Sequence, residues 1–235
     1  MRISKEKSQF ILPSSFAVGH DGVVPIVAPE EIEKHAAWGN LTEDTFVETG
    51  TFWFHGVINA MLRGAKYIHS VEINEQCFLS ACFKCMCLAQ ANPDLESKIY
   101  RRHNFFSVSF ANGPRISLYY GDSRDYLPHI LNRLEKKSTV WLDAHHGGDT
   151  CENVEDLDVN DRIPIFEELD IISKHHIKDH TIMIDDIDCV GDLFNGGKNM
   201  LEEKIKSINP NYKIEFRPKV DTAGEFLIAR VPTLS

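Results

Sequence analysis

The sequence lacks several features that would assign it to a broad class of proteins. No apolar run in its 235 residues approaches the roughly 18 residues needed to span a bilayer. It has no repeat, no low-complexity linker and no G-x-G-x-x-G turn of the dinucleotide-binding type. The start of the chain is basic and then mildly apolar, but Pro13 and two serines interrupt it, so we expect no signal peptide. These absences favour a cytoplasmic protein.

The chain also lacks an excess of positive charge. Its 25 Lys and Arg residues against 35 Asp and Glu residues give a formal net charge of −10. This argues against a broad phosphate-binding surface, although Lys98, Arg101 and Arg102 form a local basic cluster. Four of the six cysteines fall in one predicted helix, which is not a disulfide framework, and apolar packing explains them better than zinc binding.

Predicted strands and helices alternate from about residue 41 to the end of the chain. Residues 1–40 read as an N-terminal extension, and residues 41–235 as one α/β domain with a mostly parallel sheet. We expect residues 94–114 to be irregular and the last strand to be antiparallel. The seven predicted strands are Thr45–Glu48, Tyr67–Glu72, Ile116–Tyr120, Thr139–Asp143, Thr181–Asp185, Tyr212–Phe216 and Glu225–Val231.

An acidic residue stands at the end of each predicted parallel strand. Ligands of an open parallel sheet bind beyond the carboxyl ends of its strands, so these acids would meet at one edge. One such acid is usually a helix cap or a turn former, but five strand ends in succession indicate a site. The acids are Glu48, Glu72, Asp122, Asp143 and the pair Asp185 and Asp186.

The first two strand ends favour a nucleoside cofactor. The first strand runs into Glu48-Thr49-Gly50-Thr51, and the second ends in Glu72-Ile73. A glycine lets the ligand approach the backbone, and an acid about 20 residues further on suits the ribose hydroxyls. Glu72 lies 22 residues after Gly50.

Asp143, Asp185 and Asp186 end strands that we expect to be neighbours. Carboxylates that converge repel one another, and they coexist by binding a cation or through a raised pKa. Oxygen ligands of this kind suit Mg²⁺, Ca²⁺ or Mn²⁺. An equally good alternative is that the three acids act separately, as caps and hydrogen-bond acceptors.

The chain resembles the class I S-adenosylmethionine-dependent methyltransferases over about residues 45–231, in the order and spacing of four motifs. These are Glu48-Thr49-Gly50-Thr51, Glu72, Gly121-Asp122-Ser123 and Trp141-Leu142-Asp143-Ala144-His145. The resemblance implies a Rossmann-like α/β fold, with seven mostly parallel strands, the last one antiparallel, and helices on both faces. It also implies that S-adenosylmethionine is the cofactor.

The resemblance further implies a place for each part of that cofactor. Glu48 and Gly50 would flank the methionine part, Glu72 would hold the ribose, and Asp122 and Ser123 would lie near the adenine. Further cofactor-binding residues would be Thr49, Thr51, Ile73 and Asp143. Many relatives carry glycine where this chain has Phe52 and Phe54.

The order of Asp143 and then Asp185-Asp186 is similar to the metal site of catechol-type and macrocin-type O-methyltransferases. It implies that these three acids hold a divalent ion beside the substrate hydroxyl. In the catechol type, a basic residue three places after the first acid removes the substrate proton. His146 occupies that position, and His145 is an equally reasonable candidate. We therefore expect metal-assisted O-methyl transfer to a small molecule or sugar, with His145, His146 and Asp143 as catalytic residues.

Other functions stay open. The chain could be a metal-independent methyltransferase acting on nitrogen or on a macromolecule, or an inert cofactor-binding interaction module. A nicotinamide-dependent oxidoreductase is a weaker alternative, because the G-x-G-x-x-G turn is absent. Partners other than the acceptor are not expected to include a membrane or nucleic acid, and both a monomer and a homo-oligomer fit the sequence. The acidic loop 147–162 contains Gly147 and Gly148 and is a candidate lid.

Overall fold

Strands and helices alternate along the chain. The computed structural model describes residues 16–18, 22–24, 43–145, 162–188, 197–219 and 224–232. The strands are β1 Phe16–Val18, β2 Gly22–Val24, β3 Thr45–Thr49, β4 Tyr67–Glu72, β5 Ser97–Arg102, β6 Phe105–Phe110, β7 Arg115–Tyr120, β8 Thr139–Leu142, β9 Thr181–Ile184, β10 Lys213–Pro218 and β11 Glu225–Arg230. The helices are α1 His55–Leu62, α2 Glu75–Ala91, α3 Ser123–Leu131, α4 Ile165–Lys174 and α5 Gly197–Ile208.

Nine of these strands form one sheet in the order β10-β11-β9-β8-β3-β4-β7-β6-β5. The five central strands, from β9 to β7, are mutually parallel, and their carboxyl ends therefore lie at one edge. The central strands β8 (TVWL) and β9 (TIMI) are buried along their whole length, as expected for strands covered on both faces. β11 runs antiparallel between β9 and β10, as the sequence predicts for the last strand.

The prediction of seven strands was wrong, because the segment expected to be irregular forms β5 and β6. These two strands pair antiparallel and extend the sheet beyond β7. The period of two was present in the sequence, since Phe106, Val108 and Phe110 are all buried and alternate with serines. The strand was not predicted because the intervening serines and the following turn, Asn112-Gly113-Pro114, are also typical of irregular segments.

Helices cover both faces of the sheet, as predicted. Alternation along β3 places Phe46 and Glu48 toward α1 and α2, and Val47 and Thr49 toward the other face. That second face packs against α3, α4 and α5. The sheet thus separates the two halves of the core. A side chain of β3 contacts the helices on the face of the sheet toward which it points.

The remaining observations on the fold concern buried cysteines and histidines, the length of the helices and the N-terminal extension. The four cysteines of α2 are buried free thiols, which agrees with apolar packing. Two histidines that precede β9 are also buried: His175 and His180 are hydrogen-bonded to each other at 2.9 Å. No helix among the described ranges is long and apolar enough to cross a membrane. Within the extension 1–40, only the antiparallel hairpin of β1 and β2 belongs to the described residues.

Candidate active site at the carboxyl edge of the sheet

Three ionisable side chains meet where β8 and β9 end. One ligand-type atom from each of Asp143, His145 and Asp186 lies within 4.8 Å of the others. His145 Nδ1 is 3.4 Å from Asp143 Oδ1, and its Nε2 is 2.8 Å from Asp186 Oδ2. Asp186 adopts a positive φ of 46°, which is uncommon for a residue with a side chain. The surrounding contacts hold this conformation and aim the Asp186 carboxylate at the histidine.

Asp185 has a different partner, which sequence reasoning missed. Lys219, just after β10, places its Nζ 2.8 Å from Asp185 Oδ1 and also pairs with Asp186 Oδ1. The side chains of Lys219 and Asp185 are only 19% and 13% exposed, so the pair is shielded from water. A single lysine 34 positions away from Asp185 carries no sequence signal for this contact. Asp143, Asp185 and Asp186 nonetheless line one pocket, together with His145.

Burial and mutual charge shift the pKa values of this cluster. Burial raises the pKa of Asp185, and the neighbouring charges of Asp143 and Asp186 raise it further, to about 7. Burial lowers the pKa of His145, but its hydrogen bonds and attraction to Asp143 and Asp186 outweigh this and raise it to about 11. Burial also opposes ionisation of Asp186, yet His145 and Lys219 bring its pKa below the usual range. The cluster thus holds carboxylates that are neutralised by two internal cations.

The turn after β3 lies directly against this cluster. Gly50 has a φ of 81°, and a Cβ added to it would lie 2.7 Å from the backbone carbon of Asp143 and closer still to its oxygen. The Asp143 backbone N–H donates to the Thr49 carbonyl at 3.0 Å and lies 3.3 Å from Thr49 Oγ1. Glycine is therefore required at position 50 by the approach of the β8 end, in addition to any approach of a ligand.

The side chain of Glu48 is buried in the protein interior. It is 1% exposed, and its carboxyl accepts a hydrogen bond from Ser70 Oγ, which in turn lies 2.6 Å from Thr51 Oγ1. Burial raises the pKa of Glu48 well above its usual value. Gly56 faces this carboxyl, and a Cβ at position 56 would overlap Glu48 Oε1. Glu48 and Thr51 are thus joined in one buried network beneath the turn.

Glu72 fastens the turn from the neighbouring strand. Its Oε2 accepts the backbone N–H of Phe52 at 2.7 Å, and its Oε1 accepts that of Asn74 at 2.8 Å. Burial raises the pKa of Glu72, while these backbone hydrogen bonds act in the opposite direction. Ile73, the next residue, is 48% exposed at the rim.

The end of β7 supplies Asp122 and Ser123. The Asp122 carboxylate caps α3 by accepting the Arg124 backbone N–H at 2.8 Å, and it forms an ion pair with the Arg124 guanidinium. Ser123 is buried and hydrogen-bonds to Glu168, a carboxyl from α4 that sequence reasoning missed. Burial raises the pKa of Glu168 to about 7, and among the described residues its Oε1 has no hydrogen-bond partner.

Glu168 lines the same pocket as Asp143 and His145. Sequence reasoning missed it because an acid in the first turns of a helix normally stabilises the helix by interacting with the helix dipole.

Among the aromatic residues near the turn, Phe54 and Trp141 are fully buried core residues, whereas Trp53 is 50% exposed. His146 and the loop 147–161 lie outside the described residues.

Comparison with known proteins gives matches by structure. No family model matches the sequence, and no curated protein matches it. Many solved structures align with the fold, and three of them are described here. An O-methyltransferase from Bacillus cereus in complex with S-adenosylhomocysteine is 14% identical, with 88% of this chain and 82% of that chain covered and a TM-score of 0.51. The O-methyltransferase TomG from Streptomyces achromogenes, involved in tomaymycin synthesis and bound to S-adenosylmethionine, is 14% identical, covering 88% and 81%, with a TM-score of 0.50.

The third structure is Trm1 from Pyrococcus horikoshii with S-adenosylmethionine. It is 9% identical, with 85% of this chain but only 53% of that chain covered, and a TM-score of 0.50. The proteins in all three structures carry S-adenosylmethionine or S-adenosylhomocysteine. At these identities the agreement is one of architecture, and it coincides with the motif order read from the sequence. The chain has the fold of the class I S-adenosylmethionine-dependent methyltransferases.

Proposed function

We propose that the protein transfers a methyl group from S-adenosylmethionine to a hydroxyl of a small molecule or sugar, assisted by a divalent cation. The observation that carries this proposal is the position of the Asp143, His145 and Asp186 cluster. It adjoins the Gly50 turn, because the Asp143 backbone fills the space beside that glycine. A cofactor held by the turn and an acceptor held by the cluster would therefore be neighbours.

The donor atoms of the cluster fit a divalent ion. Two carboxylates and one imidazole nitrogen lie within 4.8 Å of one another, and the carboxylate of Asp185 lines the same pocket. Oxygen-rich sites of this kind suit Mg²⁺ or Mn²⁺, with Ca²⁺ a further candidate. A bound ion would supply a lowered pKa and a fixed orientation for the acceptor hydroxyl.

The chain's own residues would provide alignment and proton transfer. The sulfonium of the cofactor is already a good methyl donor, so the protein has to align oxygen, methyl carbon and sulfur. Under this proposal Glu72 and Ile73 would face the ribose, and Asp122 and Ser123 would lie near the adenine. His146 is the first candidate for the proton acceptor, because the ion pairs with Asp143 and Asp186 keep His145 protonated, and separate His145→Asn and His146→Asn variants test this assignment.

A second candidate is methyl transfer without a metal, to nitrogen or to a macromolecule. It is favoured by Lys219 and His145, because these residues already bring positive charge to Asp185 and Asp186. An inert cofactor-binding module is a third candidate, and it differs in showing binding without turnover. The fold does not choose among these functions.

Calorimetry with S-adenosylhomocysteine tests the cofactor, and Mn²⁺ titration tests the metal. We expect S-adenosylhomocysteine to bind, and Mn²⁺ binding to be lost in Asp143→Asn and Asp186→Asn. Asp125→Asn, which alters an exposed acid on α3, is the matched control and should bind Mn²⁺ like wild type. Absence of S-adenosylhomocysteine binding at millimolar concentration contradicts the methyltransferase proposal. Unchanged turnover in the presence of a chelator contradicts only the role of the metal.

A further inference from the structure

One face of the sheet is open at the end formed by β7, β6 and β5. The strand registers place Arg115, Lys98 and Arg102 on this face together with Tyr100. None of the side chains that β4, β5, β6 and β7 place on this face is acidic. Helix α3 packs over β3 and β4 on this side, and none of the described helices on this side packs extensively over β5 or β6. The end of the sheet therefore presents a basic face to solvent.

The cations of this face are not neutralised by acids. Lys98, Arg102 and Arg115 are exposed, and so is Arg133, which follows α3. Burial lowers the pKa of His69 on the same face to about 4, with further contributions from the positive charges of Arg115 and Arg133, so Arg133 also lies near this face. Within the described ranges, none of these four cations forms an ion pair. Exposed charges farther away than about 8 Å are largely screened at physiological salt, so distant acids do not cancel this local excess.

Aromatic rings lie beside these cations. Tyr100 is 46% exposed, and its ring centroid lies 6.0 Å from that of Phe105. Arg102 Cζ lies 5.4 Å from the centroid of the Tyr100 ring. At the other side of the face Tyr67, which is 51% exposed, stands beside Arg115. Exposed rings on a sheet offer surfaces on which bases stack, and cations between them offer contacts to the phosphates.

We propose that this basic face of β4, β7, β6 and β5 binds single-stranded RNA. Neighbouring strands lie about 4.8 Å apart, so the face is about 14 Å wide from β4 to β5, which suits a short stretch of nucleotides better than a single anion. The hydroxyl groups of Tyr67, Tyr100 and Ser109 stand on the face, and the 2′-hydroxyl of RNA gives them a hydrogen-bond partner that DNA lacks.

The basic face is separate from the candidate active site. In the sheet, β3 and β4 lie between β7 and β8, at whose end the Asp143 cluster stands. The basic face is therefore a docking surface and not the acceptor pocket. Its binding of RNA goes beyond the proposed methyl transfer and does not depend on it.

Strand β5 provides a matched pair of arginines for the test. Arg101 and Arg102 are adjacent and exposed, but alternation places Arg101 on the opposite face, where its charge acts on Cys82 of α2. Fluorescence anisotropy with a labelled oligouridylate of about 12 nucleotides measures binding over a range of salt concentrations. We expect Arg102→Gln to reduce the slope of log Kd against log salt concentration by about 0.7, and Arg101→Gln to leave it unchanged.

Tyr100 tests stacking separately from charge. Tyr100→Ala should weaken binding about tenfold while keeping the wild-type salt dependence, because it removes a ring and no charge. Tyr100→Phe should keep most of the affinity. The altered side chains are exposed, so we expect all the variants to melt at the wild-type temperature.

Four results would overturn the proposal. The first is no binding of the oligouridylate by wild type at low salt, and the second is an equal loss of affinity in Arg101→Gln and Arg102→Gln. A polyglutamate peptide that binds as tightly as the RNA, with an affinity that Tyr100→Ala does not change, would assign the face to an acidic protein partner. Equally tight binding of an oligodeoxythymidylate of the same length would contradict the preference for RNA. All of these measurements are made without cofactor, so a failure of the proposed methyl transfer would leave them unchanged.

Discussion

Gly56 at the start of α1 lies directly against the buried carboxyl of Glu48 at the end of β3. A Cβ at position 56 would lie 2.8 Å from Glu48 Cδ and overlap Oε1. The carboxyl has little room to retreat, because it is 1% exposed and hydrogen-bonded to Ser70. We expect Gly56→Ala to lower the free energy of unfolding by about 2–3 kcal/mol, as overpacking does in other cores.

The same contact predicts a rescue. Glu48→Ala removes the carboxyl with which the new methyl group would clash. The double variant Glu48→Ala/Gly56→Ala should therefore lose less unfolding free energy than the two single variants lose in sum. We expect a coupling energy of about 1–3 kcal/mol in a double-mutant cycle measured by urea unfolding. Strict additivity would show that the two residues are not in steric contact.

Gly50 and Gly64 form a matched pair for separating backbone strain from steric contact. Both have positive φ, 81° and 87°, but a Cβ at Gly64 meets nothing within 4 Å, whereas one at Gly50 strikes the Asp143 backbone. Gly64→Ala should cost about 1 kcal/mol, the cost of the left-handed conformation alone. Gly50→Ala should cost about 3 kcal/mol or more and should also weaken S-adenosylhomocysteine binding. Equal costs in urea unfolding would contradict the close approach of the two strand ends.

The site was partly predictable because parallel strands bring their carboxyl ends to one edge. Asp143 and the pair Asp185-Asp186 could be placed together from this rule alone, without knowledge of any contact. Lys219 could not, since it reaches the cluster from the strand pair that follows α5 and has no spacing relative to the acids. The burial of Glu48 could not be predicted either. It depends on which face of β3 the side chain is on and on its contact with Gly56 of α1, and a sequence shows neither.

Glu168 predicts a pH-dependent stability. Its pKa is raised from 4.5 to about 7 by burial, so the stability associated with its neutral form is fully present below about pH 4.5 and lost as the pH rises through 7. Glu168→Gln cannot ionise and escapes this loss. We expect the variant to gain about 2–3 kcal/mol relative to wild type between pH 5 and pH 8, measured by urea unfolding.

The neighbouring Glu167 provides the control for that measurement. It is half exposed and paired with Arg124, so Glu167→Gln should stay within about 0.5 kcal/mol of wild type at both pH values. A Glu168→Gln variant whose difference from wild type does not change with pH would show that Glu168 is already ionised at pH 5.

Lys219 predicts how the cluster responds to metal. Lys219→Met leaves Asp185 and Asp186 without an ammonium partner in a site where the side chains of Lys219 and Asp185 are 19% and 13% exposed. The loss should be about 2 kcal/mol, between the about 0–1 kcal/mol of exposed ion pairs and the about 3–5 kcal/mol of fully buried ones. Lys66→Met breaks an exposed pair with Asp44 and should change stability by less than about 0.5 kcal/mol.

If the cluster binds a divalent ion, saturating Mn²⁺ should restore the melting temperature of Lys219→Met more than it raises that of wild type, because the ion no longer competes with the ammonium group. An equal response of the two proteins to Mn²⁺ would mean that the ammonium group and the ion do not share these carboxylates.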